Sequence, residues 1–144
     1  MNLLDRTKAP TVASLMHSFP YFAEPNTSVT QIRELMKSHN IRHIPIKQKD
    51  SVMGIVSERD LRWMSSPAIA LPVADEIPVH HVMTFNPYTV EITTPLTTVI
   101  SEMTERKIGA AIVLSSGKLA GIVTVIDICR ALGELLESEF SSKS

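Results

Sequence analysis

The chain reads as an α+β protein made of two matched subdomains packed face to face. Two observations predict this. Residues 12–64 slide forward by 67 positions onto 79–131 without a gap, with thirteen identities in 53 positions. Within each copy, a segment with helical apolar period lies among short strand-like runs, in the order strand–helix–strand–strand–helix. The period is too long, and the copies too few, for a solenoid. Clefts between the two halves are the expected ligand sites.

The elements follow in order. Residues 1–11 form an N-terminal arm without period, and 12–65 make the first repeat. Val12–Met16 is expected to make a short helical turn, followed by a strand near Pro20–Ala23. Thr27 or Ser28 is an N-cap for a helix whose face carries Val29, Ile32, Leu35 and Met36 and which runs to about His39. A strand Ile41–Ile46, a turn Lys47–Ser51 and a returning strand Val52–Val56 follow. Gly54 inside the last strand marks a close approach to its backbone. Ser57 caps a second helix through Leu61 to about Met64. Residues 66–78, with Pro67, Pro72 and Pro78, form a connector.

Residues 79–144 repeat the order. Tyr88–Ile92 is the strand, and Thr94 with Pro95 is an N-cap followed by a proline at the first helical position. Leu96, Val99, Ile100 and Met103 line the helix. Ile108–Leu114 and Leu119–Val123 make a hairpin across Ser115–Lys118, and a longer helix runs from about Val125 to Phe140.

Composition excludes several function classes. A net charge of −1 with 14 scattered basic residues gives no footprint for nucleic acid. No apolar run reaches membrane-span length, and MNLLDRTKAP lacks the apolar segment of a signal peptide. The single cysteine, Cys129, precludes an intramolecular disulfide and fits the cytoplasm; among Ile126, Ile128 and Leu132 it reads as a buried, inert thiol. No nucleophile–base spacing, glycine-rich phosphate loop or split carboxylate pair emerges, so an enzyme is not expected.

The informative residues close each repeat. Gly54-Ile-Val-Ser57-Glu-Arg-Asp60 answers to Gly121-Ile-Val-Thr124-Val-Ile-Asp127. A strand that ends in Ser or Thr and opens a helix puts N–H donors and a hydroxyl at the positive end of a helix dipole, a setting for phosphate. A carboxylate one turn on accepts well from two adjacent hydroxyls, as on a ribose. The glycine, on this reading, removes a side chain that would obstruct a ligand.

With Val-x-x-x-Met-x-x-x-x-Pro opening each copy and Ile41–Ile46 carrying Pro45, the whole of about Val12–Leu136 resembles a tandem pair of CBS domains, a Bateman module. The resemblance implies pseudo-twofold packing of the repeats, clefts that bind AMP, ADP, ATP or S-adenosylmethionine, and association into a homodimer. By the same resemblance Asp60 and Asp127 each bind a ribose, and Ser57 and Thr124 contact ribose or phosphate. Arg42 and His43 in the first copy, and Gly109 and Ala110 in the second, lie against the nucleotide. Arg42, His43 and Arg59 supply positive charge, and backbone near Tyr21 and Tyr88 contacts the adenine edge. The adenosine compound is a regulatory ligand; no obligatory cofactor or metal is implied. With no effector fused to the pair, the signal passes to an unknown protein in trans. The alternative is a non-catalytic dimeric scaffold with vestigial clefts.

Plainer readings stand beside these. Asp60 and Asp127 also suit helix capping, and adjacent Arg42 and His43 point to opposite faces of a strand. Arg59 suits a solvated surface. His17, His39, His80 and His81 lack ligand partners and read as structural or solvent-facing. Met16, Met36, Met53, Met64, Met83 and Met103 fit core positions. The last helix is apolar over so wide an arc (Ile126, Ile128, Leu132, Leu135, Leu136, Phe140) that a dimer interface is expected along it. Glu102, Glu105, Arg106, Lys107, Glu134, Glu137 and Glu139 read as solvated helix faces.

Overall fold

A computed structural model describes residues 9–64 and 77–141 of the protein, the side chains of Trp63 and Met64 excepted. Most of the arm and of the connector therefore lies outside the described residues. The elements are β1 (His17–Ser18), α1 (Val29–His39), β2 (His43–Gln48), β3 (Ser51–Ser57), α2 (Glu58–Met64), β4 (Thr84–Phe85), β5 (Thr89–Glu91), α3 (Leu96–Arg106), β6 (Ala110–Ser115), β7 (Lys118–Thr124) and α4 (Val125–Phe140). Two short 3₁₀ turns, Val12–Ser14 and Val79–His81, open the repeats.

The chain forms two compact units, and each takes its opening segment from the other sequence copy. Pro20–Pro87 is one unit; the segment up to Phe19 joins Tyr88 onward in the other, the split unit. In the split unit the sheet order is β1-β7-β6-β5; in the Pro20–Pro87 unit it is β2-β3-β4. Within each sheet the long hairpin is antiparallel, and β5 adds to β6 in parallel.

The backbone repeats even where the residues do not. Left-handed φ angles occur at Phe19 and Asn86, at Asn40 and Lys107, and at Lys49 and Ser116, each pair 67 positions apart. Asn40 and Lys107 end their helices, so Ile41 and Ile108 donate back to Met36 and Met103 carbonyls at 3.0 and 3.1 Å. In the Ser116–Gly117 turn both residues have positive φ, which the glycine tolerates without strain. Each hairpin also skips one residue before its glycine: Ile46 faces Gly54 but Lys47 faces Val52, and Val113 faces Gly121 but Leu114 faces Leu119.

Several expected boundaries move. The strands expected from Ile41 and Ile108 begin at His43 and Ala110, beyond the left-handed residues that end the preceding helices, and the strand Tyr88–Ile92 shortens to Thr89–Glu91. Near Pro20–Ala23 only Ala23 bridges, to Ile46. Pro25 has no N–H to give, whereas its counterpart Ile92 donates to Leu114 O at 2.8 Å and β5 forms beside it. Thr94 does not cap α3; Pro95 is the capping residue and Leu96 donates to Pro10 O at 2.9 Å instead. The first hairpin turn is only Lys49–Asp50, the strands running on to Gln48 and back from Ser51. Ser28, not Thr27, caps α1, in a reciprocal pair with Gln31.

Each unit has its own core. Val29, Ile32, Met36, Ile44, Ile46, Val56, Leu61, Val79 and Met83 fill one. Val12, Val99, Met103, Ala111, Val113 and Val123 fill the other. The helical apolar faces therefore meet the sheets as their spacing requires, and the 3₁₀ valines close the ends.

What approaches the two sheet glycines is the protein itself. A Cβ on Gly54 would sit 2.7 Å from Met83 Sδ and from the Thr84 carbonyl; one on Gly121 would sit 2.5 Å from Met16 Sδ and 2.9 Å from the His17 carbonyl. The expectation that these glycines make room for a ligand is thus corrected: they let β4 and β1 lie close against β3 and β7. Met16 and Met83 pack there, as their repeat positions predicted.

Candidate functional site

In the Pro20–Pro87 unit the site begins where β3 hands over to α2. Ser57 N–H donates to Asp60 Oδ2 at 2.9 Å, and Asp60 N–H donates to Ser57 Oγ at 3.2 Å. The carboxylate thereby covers donors that the first helical turn leaves open. Its second oxygen, Oδ1, accepts no bond from the described residues. His43 faces Ser57 across the hairpin, and Glu58 N–H donates to the Arg42 carbonyl at 2.8 Å. Arg42, His43, Ser57 and Asp60 are thus gathered at one end of the sheet.

The split unit builds the same junction between β7 and α4. Thr124 N–H and Oγ1 both donate to Asp127 Oδ2, at 2.8 and 2.9 Å, and Asp127 N–H returns to Thr124 Oγ1 at 3.4 Å. Ala110 faces Thr124, and Val125 N–H donates to the Gly109 carbonyl at 3.1 Å. Gly109, Ala110, Thr124 and Asp127 are therefore also together.

Asp127 differs from Asp60 in its neighbours. It is 5% exposed, the buried charged residue among those described. His17 Nε2 donates to its Oδ1 at 2.6 Å, and Arg130 stands 3.6 Å from the same oxygen. Both carboxylate oxygens are taken. His17, read from the sequence as structural or solvent-facing, belongs to this junction because the chain opening crosses into the split unit as β1. Its counterpart in the repeat is Thr84, so nothing in the spacing pointed to it.

The remaining predicted residues do not join these junctions. Arg59 is exposed and makes no ion pair among the described residues. The Arg42 guanidinium turns to Glu58, 3.4 Å away, and Glu58 also takes Arg62 at 3.2 Å. Arg42 then lines a groove of about 450 Å3 between α1 and α2 with Arg33, Lys37 and Arg62 over a floor of Met36, Ile41 and Leu61. The Tyr21 ring stacks on His39, centroids 3.8 Å apart, so His39 also has a packing role. Tyr88 lies under the Arg106 guanidinium, 4.8 Å from its ring centroid. Burial, then the Glu102 charge, raises the Tyr88 phenol above its ordinary pKa, against the opposing pull of Arg106.

Cys129 is exposed, which corrects its reading as a buried thiol. It lies on the face of α4 where Val125, Leu132, Leu136 and Phe140 are also exposed, while Asp127 and Ala131 turn inward. The pattern of apolar residues gave the arc but not which part of it the unit covers. Among the described residues no three His, Cys, Asp or Glu side chains gather as a metal set, and no helix is long and apolar enough to cross a membrane.

The profile of the CBS domain matches the chain twice, over residues 12–67 and 79–134. The chain belongs to the CBS-domain family. The two CBS matches cover both hydrogen-bonded Ser/Thr–Asp junctions. Part of inosine-5'-monophosphate dehydrogenase from Streptococcus pyogenes serotype M3 is 28% identical over 113 residues, 76% of this chain. The chain spans only 22% of that dehydrogenase. Among solved structures, one described as an acetoin utilization protein from Vibrio cholerae superposes with a TM-score of 0.77 at 28% identity, covering 95% of this chain and all of the other. Another, the protein CBSX2 in complex with AMP, has a TM-score of 0.74 at 26% identity, covering 87% and 97%.

Proposed function

We propose that this CBS pair is a non-catalytic regulatory module of the cytoplasm. It binds an adenosine-containing ligand at its Ser/Thr–Asp junctions and passes the state of occupancy to a partner protein in trans. The observation that carries the reading is Oδ1 of Asp60, which accepts no bond from the described residues while Oδ2 is held by the Ser57 N–H. A fixed carboxylate with one free oxygen is ready to accept from a ribose hydroxyl. The AMP bound in CBSX2 supports an adenosine compound. Ser57, His43 and the backbone of Arg42 flank the carboxylate for the rest of the ligand, and Thr124, Gly109 and Ala110 do so at Asp127. The exposed stripe of α4 joins two copies into a homodimer.

A ligand can switch such a module only through its differential affinity for two arrangements. Calorimetric titration with AMP, ATP and S-adenosylmethionine tests the reading. Saturable binding that Asp60→Asn weakens at least about tenfold supports it. Heats indistinguishable from buffer for all three ligands overturn it.

One observation favours a second reading. Asp127 is already satisfied by Thr124, His17 and Arg130, which suits a scaffold whose second junction is structural only. In that case Asp127→Asn lowers stability and leaves ligand binding unchanged.

A further inference from the structure

We infer that His17 is a latch on Asp127, competing with the ligand for the carboxylate oxygen that a sugar hydroxyl needs. This rests on the reading above, in which a vicinal diol binds the aspartates.

Carboxylate oxygens carry few good acceptor directions, and those of Asp127 are allotted. Oδ2 receives Thr124 N–H and Oγ1 at 2.8 and 2.9 Å, bonds that build the start of α4. Releasing them would undo the helix cap. Oδ1 is the oxygen that can change partner, and His17 Nε2–H holds it at 2.6 Å. The two ends of that bond differ in mobility. The Asp127 side chain is 6% exposed, the His17 side chain 62%, so the imidazole can swing into water while the carboxylate stays. An incoming diol therefore displaces His17 and not the cap.

The repeat shows that the latch is not a requirement of the fold. Position 84, the counterpart of His17, is threonine, and among the described residues Asp60 Oδ1 takes no such bond. Both helix starts form all the same. The latch distinguishes one junction from the other.

Among the described residues, His17 and Arg130 are the basic groups at Asp127. Arg130, 3.6 Å from Oδ1, stands beyond hydrogen-bond reach, so the His17 bond is the one that a sugar hydroxyl must replace.

The test uses the full chain with Asp60→Asn, which leaves Asp127 as the carboxylate offered to ligand, titrated with adenosine at pH 8. His17→Ala binds adenosine at least about threefold more tightly than the chain that keeps His17. His17→Gln, which can still donate to Oδ1, binds no more tightly than the chain that keeps His17. 2'-Deoxyadenosine, lacking the second hydroxyl, binds more weakly than adenosine in all three. Equal or weaker binding by His17→Ala overturns the latch. If the Asp60 chain binds adenosine but none of the Asp60→Asn proteins does, the latch falls and the ligand reading stands at Asp60. If no protein binds, both fall together.

Discussion

Asp60 and Asp127 occupy the same position of the same motif, yet among the described residues one has a carboxylate oxygen without a partner and the other has both engaged. The same divergence appears one turn away. The groove of the Pro20–Pro87 unit is rimmed by Arg33, Lys37, Arg42 and Arg62; their counterparts are Ile100, Thr104, Gly109 and Cys129. The floor hardly changes: Met36, Ile41 and Leu61 answer to Met103, Ile108 and Ile128. Packing positions, the Ser/Thr–Asp bonds and left-handed turns are held in both copies because the fold needs them. Surface charge and the free valence of the aspartate are not so constrained. The two junctions are one scaffold with two different chemical faces.

The deepest way to break the equivalence lies in the cores. Ile44 is fully buried while its counterpart is Ala111. Ile44→Ala should cost about 3 kcal/mol, because it deletes most of a fully buried side chain and leaves a cavity behind. Denaturant unfolding reads this directly, and a cost below about 1 kcal/mol would mean that the two cores are interchangeable there.

Next are the sheet glycines. Gly54→Ala and Gly121→Ala should each destabilise by about 2 kcal/mol, because Thr84 and His17 carbonyls, not only flexible methionine ends, stand in the way. Equal shifts in the two proteins would sharpen the comparison. A neutral result at either site would show that β1 or β4 yields.

The aspartates should then separate. Asp127→Ala removes the carboxylate half of a capping pair and strips His17 of its acceptor, about 2 kcal/mol; Asp60→Ala removes the carboxylate half alone, about 1 kcal/mol. Thermal melts of the pair check the order. The smallest effect belongs to Glu58→Gln, which releases Arg42 and Arg62 from exposed ion pairs and should change stability by no more than about 0.5 kcal/mol.

Much of this was legible beforehand. The doubled Gly-x-x-Ser/Thr-x-x-Asp signature located both junctions, since cap chemistry is local and needs only three residues of spacing. α4 was placed at its observed ends for the same reason. What stayed hidden depended on distant pairing. His17 meets Asp127 across 110 positions because β1 crosses to β7, and no periodicity encodes that crossing. Gly54 was rightly read as a close approach, but which group approaches is decided by β4. Cys129 was read as buried because its neighbours are apolar; sequence shows an apolar arc without showing which part a unit covers. The missing strand before Pro25 was in principle readable, as an absent N–H opposite a strand edge.

The most direct measurement is a crystal structure of the protein grown with AMP. The account predicts ribose density with a hydroxyl within hydrogen-bond distance of Asp60 Oδ1, while Ser57 keeps its bond to Oδ2. Density that leaves Asp60 Oδ1 facing solvent, with AMP bound at another surface, would contradict it.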